Sequence, residues 1–340
     1  TRWEGWCWDS PAGCRARGRR SPSPSMCSWQ IGCRGAASLE SVSRRGNDVK
    51  SGFISVVGRP NVGKSTLVNA LVGEKVAITS SRPQTTRNTI RGVLTVDEPP
   101  AQYVFVDTPG LHRPRTALGE RLNKLVYGSL AENDAALFVL DATQEIGPGD
   151  RLIAERLSEG GRPVVVIVNK VDLATEAQIV AQLGEAGEWG FRAYVPVSAL
   201  RSDGTDLVLE ELGDLLEPGP AFFPPDVHTD QPDQLLAAEL VREKYLSRLR
   251  DELPHSLAVI VEEVTTRPDG VVHVPATVYV ERNSQKGMVI GKGGSVLREV
   301  GSEARLDLER LFGAKVYLEL RVKVEKDWQR RESTLDRMGF

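Results

Sequence analysis

Past residue 33 the chain contains no cysteine. All four, Cys7, Cys14, Cys27 and Cys33, lie in its first tenth, and none of their spacings is the C-x-x-C of a zinc knuckle. Disulfides are therefore excluded from the rest of the chain, which suits a reducing compartment. Long apolar runs are missing too: no uninterrupted stretch approaches the ~20 residues that a membrane-spanning helix needs, and the N-terminal stretch lacks the apolar region of a signal peptide. The expected location is cytoplasmic, with peripheral attachment to the cytoplasmic face of a membrane as the alternative. Neither sign of charge dominates, since 43 Lys and Arg against 46 Asp and Glu leave a formal net charge of −3. That balance argues against bulk electrostatic attachment to nucleic acid, although an average can conceal a local basic face.

What is present points to two folded units. A chain of 340 residues exceeds one ordinary domain of ~100–200 residues. Residues 1–49 carry Trp3, Trp6 and Trp8 and then Arg, Ser, Pro and Gly without periodicity, and the chain does not begin with Met. This stretch is expected to be a disordered extension, from an over-extended reading frame or a dispensable tail. From Gly52 onward, buried-strand runs "GFISVVG", "YVFVDT" (103–108), "ALFVLDA" (136–142), "PVVVIVNK" (163–170) and "AYVPVSA" (193–199) alternate with helical segments, among them 118–132, 149–159, 175–187 and 205–216. Continuous apolar strands between helices predict an α/β unit over 50–216, a mainly parallel sheet with helices on both faces and functional loops at the strands' carboxyl ends. Residues 217–233 are Pro-rich and predict a linker. Residues 234–328 read helix, strand, strand, helix, helix, strand, an α+β unit, and 329–340 form a tail. Val296, Val300, Ala304, Leu308 and Leu311 are expected on the buried face of its longest helix.

"GRPNVGKS" (58–65) matches G-x-x-x-x-G-K-[ST] between a strand and a helix. Gly58, Asn61, Val62, Gly63, Lys64, Ser65 and Thr66 are the candidate phosphate contacts: backbone N–H groups curl around the β-phosphate, Lys64 neutralises the β/γ oxygens and Ser65 holds Mg2+. A turn that merely joins strand to helix does not require Lys and Ser in that register. "DTPG" then places Asp107 to reach Mg2+ through water and the Gly110 N–H to meet the γ-phosphate. "NKVD" (169–172) selects the base, because a carboxylate at Asp172 accepts both guanine N1–H and N2–H2, which adenine cannot offer. Asn169 would tie the loops together, Lys170 would cover the ring with its stem, and Ser198 and Ala199 would meet O6. Leu111 stands where many GTPases have a water-orienting Gln, and an apolar side chain cannot perform that task.

A second glycine loop, "GKGG" (291–294), lacks the Lys-Ser/Thr pair and so has no Mg2+ ligand. It is similar instead to the G-x-x-G loop with which KH domains clamp about four nucleotides, and the surrounding element order is that of a type II KH domain. Lys286, Gly291, Lys292, Gly293 and Gly294 are the candidate RNA contacts. From Arg282 onward thirteen Lys and Arg face nine Asp and Glu, a local basic excess.

"GRPNVGKSTLVNALVG", "ITSSRPQTTRNTIRG", "VDTPGLHRP" and "VIGKGG" together resemble the Era family of GTPases over roughly residues 50 to 330. The resemblance implies a P-loop GTPase followed by a KH domain, Mg2+-dependent hydrolysis of GTP to GDP and phosphate, and Thr86 as the switch threonine that meets Mg2+ and the γ-phosphate, with Thr85 as the alternative. It also implies K+ bound at Asn61, where the positive charge would substitute for an arginine finger, and turnover that is slow until K+ or a ribosomal partner accelerates it. The implied partners are the 3′ region of 16S ribosomal RNA and the 30S subunit during its maturation, with no DNA. A membrane-associated switch in growth or cell-cycle control is the alternative function.

Overall fold

The computed structural model describes residues 49–80, 86–111, 114, 116–249, 253 and 256–340. The expected N-terminal extension lies outside these, except that Val49 is no part of one: it opens the first strand. The first half runs β1 (Val49–Val57), α1 (Lys64–Val72), β2 (Ile90–Val96), β3 (Ala101–Asp107), α2 (Ala117–Glu132), β4 (Ala135–Asp141), α3 (Pro148–Gly160), β5 (Val164–Asn169), α4 (Glu176–Gly187), β6 (Ala193–Val197), α5 (Thr205–Gly213) and β7 (Pro218–Gly219).

The sheet order is β2-β3-β1-β4-β5-β6, with β7 on the start of β1. Neighbours are parallel except where β2 meets β3 and β7 meets β1. Every residue of β3, β4 and β5 is buried, which is why these strands read as unbroken apolar runs: helices cover both faces. The edge strand β2, "IRGVLTV", escaped the sequence reading because an edge exposes Arg91 and leaves its last residues half-buried. The register sets Val56 beside Asp107 and Asp141 beside Asn169, so the loops that follow these strands leave the carboxyl end of the sheet together.

The Pro-rich stretch expected as a linker is bonded along this sheet. The buried Gln102 side chain accepts from the Phe222 and Phe223 N–H groups and donates to the Phe223 carbonyl; Val93 N–H donates to His228, and Arg91 pairs with Asp230 at 2.6 Å.

The second half runs α6 (Asp233–Arg248), β8 (Ala258–Val261), β9 (Thr265–Thr266), β10 (Val272–Val280), α7 (Asn283–Ile290), a 3-10 turn (Lys292–Gly294), α8 (Ser295–Phe312), β11 (Val316–Val324), a second 3-10 turn (Trp328–Arg330) and α9 (Glu332–Arg337). Its sheet is β11-β10-β8, with β9 on β10. The central β10 buries Val272, Val274, Ala276, Val278 and Val280, while the edge strand β11 buries only Val316 and leaves its other apolar residues partly open. Val300, Ala304 and Leu308 of α8 are buried as expected, but Leu311 is 39% exposed. The helical stripe drifts at its last turn, where Phe312 packs on the core instead. The last residues fold back: Trp328, Leu335 and Met338 form one cluster with Leu118 and Leu122 of α2, joining the two halves.

Candidate functional site

Residues 58–63 connect β1 to α1, and Gly63 takes φ 99° at the helix N-terminus. A Cβ there would lie 2.2 Å from the Asn169 amide, so this position has room only for glycine. Asn61, Gly63, Lys64, Ser65, Thr66, Thr86 and Gly110 are among the residues that line the resulting pocket. Lys64 is buried and donates to the carbonyls of Gly58 and Arg59, 3.2 and 3.1 Å away. Burial pushes its ammonium down to about 8, opposed by the charge of Asp107. The ammonium is therefore held by weak backbone partners at the mouth of a helix N-terminus, ready for phosphate oxygens.

Three oxygens converge beside it. Ser65 Oγ donates to Asp107 Oδ2 at 2.7 Å and lies 3.0 Å from Thr86 Oγ1, which is itself 3.2 Å from the same carboxylate oxygen. Adjacent ligands of an octahedral Mg2+ with bonds of ~2.1 Å stand ~3 Å apart, so the 3.0 Å between the Ser65 and Thr86 hydroxyls fits two direct ligands, with Asp107 behind them as an acceptor for a ligand's proton. Asp107 Oδ1 is buried, and no described side chain bonds it. Burial pushes the Asp107 carboxyl up, with Lys64, Ser65, Thr86 and the Thr108 N–H pulling it back. Such an acid gains from a hard cation nearby. Thr85 lies outside the described residues.

Gly110 sits against the phosphate loop, where a Cβ would be 2.7 Å from Pro60 N. Leu111 N–H donates to the Gly58 carbonyl at 3.2 Å, and its side chain is buried with Val57 and Phe138. It is turned into the core and cannot orient a water.

On the far side of the loop, Asn169 Nδ2 donates to the carbonyl of the buried Val62 at 2.8 Å, and Asn169 Oδ1 accepts from Ala199 N–H at 3.0 Å. Lys170 takes φ 67° and donates to the Asn61 carbonyl and to Asp141 Oδ2, both at 2.6 Å, which stretches its stem between two loops. Asp172 Oδ1 accepts from Ser198 Oγ at 2.7 Å. Asp141 went unnoticed in the sequence because it ends β4 with no motif around it; only the β4–β5 register puts it beside Asn169 and within reach of Lys170.

The second loop occupies the turn between α7 and α8. Gly291 has φ 76° and ψ 168°, and a Cβ there would meet Val296 N at 2.8 Å. Gly293 and Gly294 are left-handed as well, Lys292 is exposed and Lys286 on α7 is half-buried. From Gly294 a groove of about 570 Å³ runs between α8 and the open edge of β11, lined by Arg298, Arg305 and Tyr317 among others. These three were missed. The signal was present for α8: Leu297, Arg298, Gly301, Ser302 and Arg305 recur at helical spacing, a stripe of small and basic residues beside the apolar one.

Comparison with known proteins decides the family. A family model described as "50S ribosome-binding GTPase" matches residues 53–170, and one described as "KH domain" matches residues 252–329. The chain is 54% identical over 297 residues to the GTPase Era of Mycobacterium bovis and to that of Mycobacterium tuberculosis, which covers 85% of this chain and 98% of each relative. It belongs to the Era family of GTPases. Two solved Era structures superpose on it at 37% identity, covering 86% of this chain and 99% of theirs. One is a complex with MgGDPNP and nucleotides 1506–1542 of 16S ribosomal RNA, TM-score 0.83; the other is a single-residue variant of Aquifex aeolicus Era bound to GDP and AlF4−, TM-score 0.82. This Era-family chain thus carries a P-loop GTPase fold followed by a KH domain. No helix among the described residues is long and apolar enough to cross a membrane.

Proposed function

We propose that this Era-family GTPase hydrolyses GTP as a switch while its KH domain grips single-stranded RNA at the 3′ region of 16S ribosomal RNA, in maturation of the 30S subunit. The observation that carries the reading is the presence in one chain of the Ser65–Thr86–Asp107 oxygen cluster and of the groove that opens at Gly294. The solved relative holding both MgGDPNP and ribosomal RNA supports it. Bound Mg2+ would neutralise charge on the β- and γ-phosphates. Ser65 and Thr86 would hold it directly and Asp107 through water, Lys64 would pair with the phosphate oxygens, and the Gly110 N–H would face the γ-phosphate. Asp172 would accept the two guanine donors, with Ser198 orienting it and Asn169 and Lys170 fixing the loop. Crosslinking and sequencing of RNA bound to the GTP-analogue and GDP forms tests the target: ribosomal RNA enriched in neither form would overturn it. Flotation with anionic vesicles in the same preparations tests the alternative, a switch attached to a membrane surface.

Two expected results follow from the site. Leu111 cannot orient water, and what the family resemblance implies in its place is K+ bound at Asn61, which is exposed and left-handed at the rim of the phosphate pocket. GTP turnover in K+ should exceed that in Na+ on the order of tenfold or more, and Asn61→Ala should erase the difference; equal wild-type rates in the two buffers exclude the assignment. In the groove, Arg298 and Arg305 would face the phosphate backbone of bound RNA. Their double replacement by Ala should weaken RNA binding roughly tenfold and flatten the salt dependence by ~1.4 in log–log slope, read by fluorescence anisotropy across salt concentrations.

A further inference from the structure

Arg87 stands directly after the switch threonine, but its side chain belongs to the core of the other domain. It is 2% exposed, and its Nη1 donates to the Leu257 carbonyl at 2.7 Å. Its guanidinium carbon lies 5.5 Å from the centre of the Trp328 ring, and the Trp328 indole N–H donates to the Ser256 carbonyl at 3.0 Å. On α6, the buried Arg242 pairs with Glu239 at 3.2 Å within electrostatic reach of Arg87. Across the phosphate pocket the same domain holds a second point: Glu243 accepts from Thr79 N–H at 3.1 Å and pairs with Lys75 at 2.6 Å.

An interface that served adhesion alone would gain nothing from this arrangement. Two guanidiniums beside one buried carboxylate carry a large desolvation cost, and apolar residues of similar volume often stabilise such a contact better. What the guanidinium adds is direction. One of its N–H groups binds a backbone carbonyl while the cation lies over an indole ring, and together these fix its own backbone and therefore that of Thr86. The Thr86 hydroxyl then rests 3.0 Å from Ser65 Oγ, in the oxygen cluster suited to Mg2+.

We propose that Arg87 is a positioning residue for GTP hydrolysis, through which Leu257 and Trp328 of the KH-bearing half hold Thr86 in place. The proposal rests on the assignment of Thr86 as the switch threonine. It makes the second domain a component of the switch, and by linkage any factor by which RNA on that domain changes GTP affinity through Thr86 is the factor by which GTP changes RNA affinity.

The test uses the full chain and compares Arg87→Met, which keeps an apolar stem against Trp328, with Trp328→Phe and Thr86→Ala. GDP does not engage the switch threonine, so a positioning role separates turnover from GDP affinity. For Arg87→Met, kcat should fall on the order of ten- to a hundredfold, as expected for loss of a charge-assisted hydrogen bond that acts through Thr86. GDP affinity should stay within about twofold, the Mg2+ concentration for half-maximal turnover should rise, and RNA affinity should become the same in the GTP-analogue and GDP forms. A wild-type kcat in Arg87→Met while Thr86→Ala loses turnover would overturn the proposal and leave the Thr86 assignment standing. Full turnover in Thr86→Ala removes that assignment and the proposal with it. Loss of GDP affinity in parallel with kcat would mark Arg87 as structural only and also overturn it. Should Arg87→Met fail to fold, Trp328→Phe decides: a wild-type kcat and Mg2+ requirement there overturns the proposal.

Discussion

Asp172→Asn is expected to change the preferred nucleotide from GTP to xanthosine triphosphate. A carboxylate such as Asp172 only accepts hydrogen bonds, and guanine presents it with two donors, N1–H and N2–H2. Xanthine keeps N1–H but carries a carbonyl at position 2, which the carboxylate repels. An Asn side chain has the same shape, can keep the hydrogen bond from Ser198 Oγ now made at 2.7 Å, and offers its amide N–H to the new carbonyl. Two charge-assisted hydrogen bonds are lost to guanine, each ~1.5–3 kcal/mol, so GTP affinity should fall roughly 10³-fold while xanthosine triphosphate gains a comparable factor. Competition binding against a fluorescent GDP analogue measures both; unchanged GTP preference would remove Asp172 from the base site.

Lys64→Ala should lower GTP turnover on the order of 10³-fold, since a buried charge at the β/γ oxygens acts where water cannot screen it. The free protein's own protonation equilibrium supplies a sharper check. Burial lowers the Lys64 ammonium from its ordinary 10.5 to about 8. Above pH 8 the free protein holds a neutral amine, yet the phosphates require the ammonium, so binding takes up a proton. Apparent nucleotide affinity should therefore fall by about tenfold per pH unit above pH 8 in the wild type, and Lys64→Ala should flatten that dependence. The sign for folding is opposite: between pH 8 and 10.5 the unfolded chain binds more protons at this site than the folded one, so this group's contribution to unliganded stability rises with pH across that window. Calorimetry in buffers of different ionisation enthalpy reads the proton uptake.

Most of the nucleotide site could be read before the structure because each part of it is local. A strand end, a few loop residues and a helix start suffice to place Gly58 to Thr66, and the same holds for Asp107 to Gly110 and for Asn169 to Asp172. The KH loop was legible for the same reason. The groove it opens was not, because Tyr317 and Arg298 come from separate elements that face each other only after α8 packs beside the β11 edge. The stretch from 217 to 233 looked like a connector by composition. Its composition could not show that Gln102, buried in an apolar sheet, needs the Phe222 and Phe223 backbone to satisfy its amide.

By itself, then, the sequence supplied the expected chemistry: which loops would hold phosphates, which carboxylate would read the base and which glycines would let a polynucleotide backbone approach. Those are properties of residue type at fixed short spacing, set by hydrogen-bonding capacity and backbone freedom. Tertiary structure alone decided what each loop is attached to. Arg87 and Leu257 are separated by 170 positions, and Leu118 and Leu335 share a cluster across the two halves. No short-range pattern encodes such contacts, because they arise from how elements distant in sequence pack against each other.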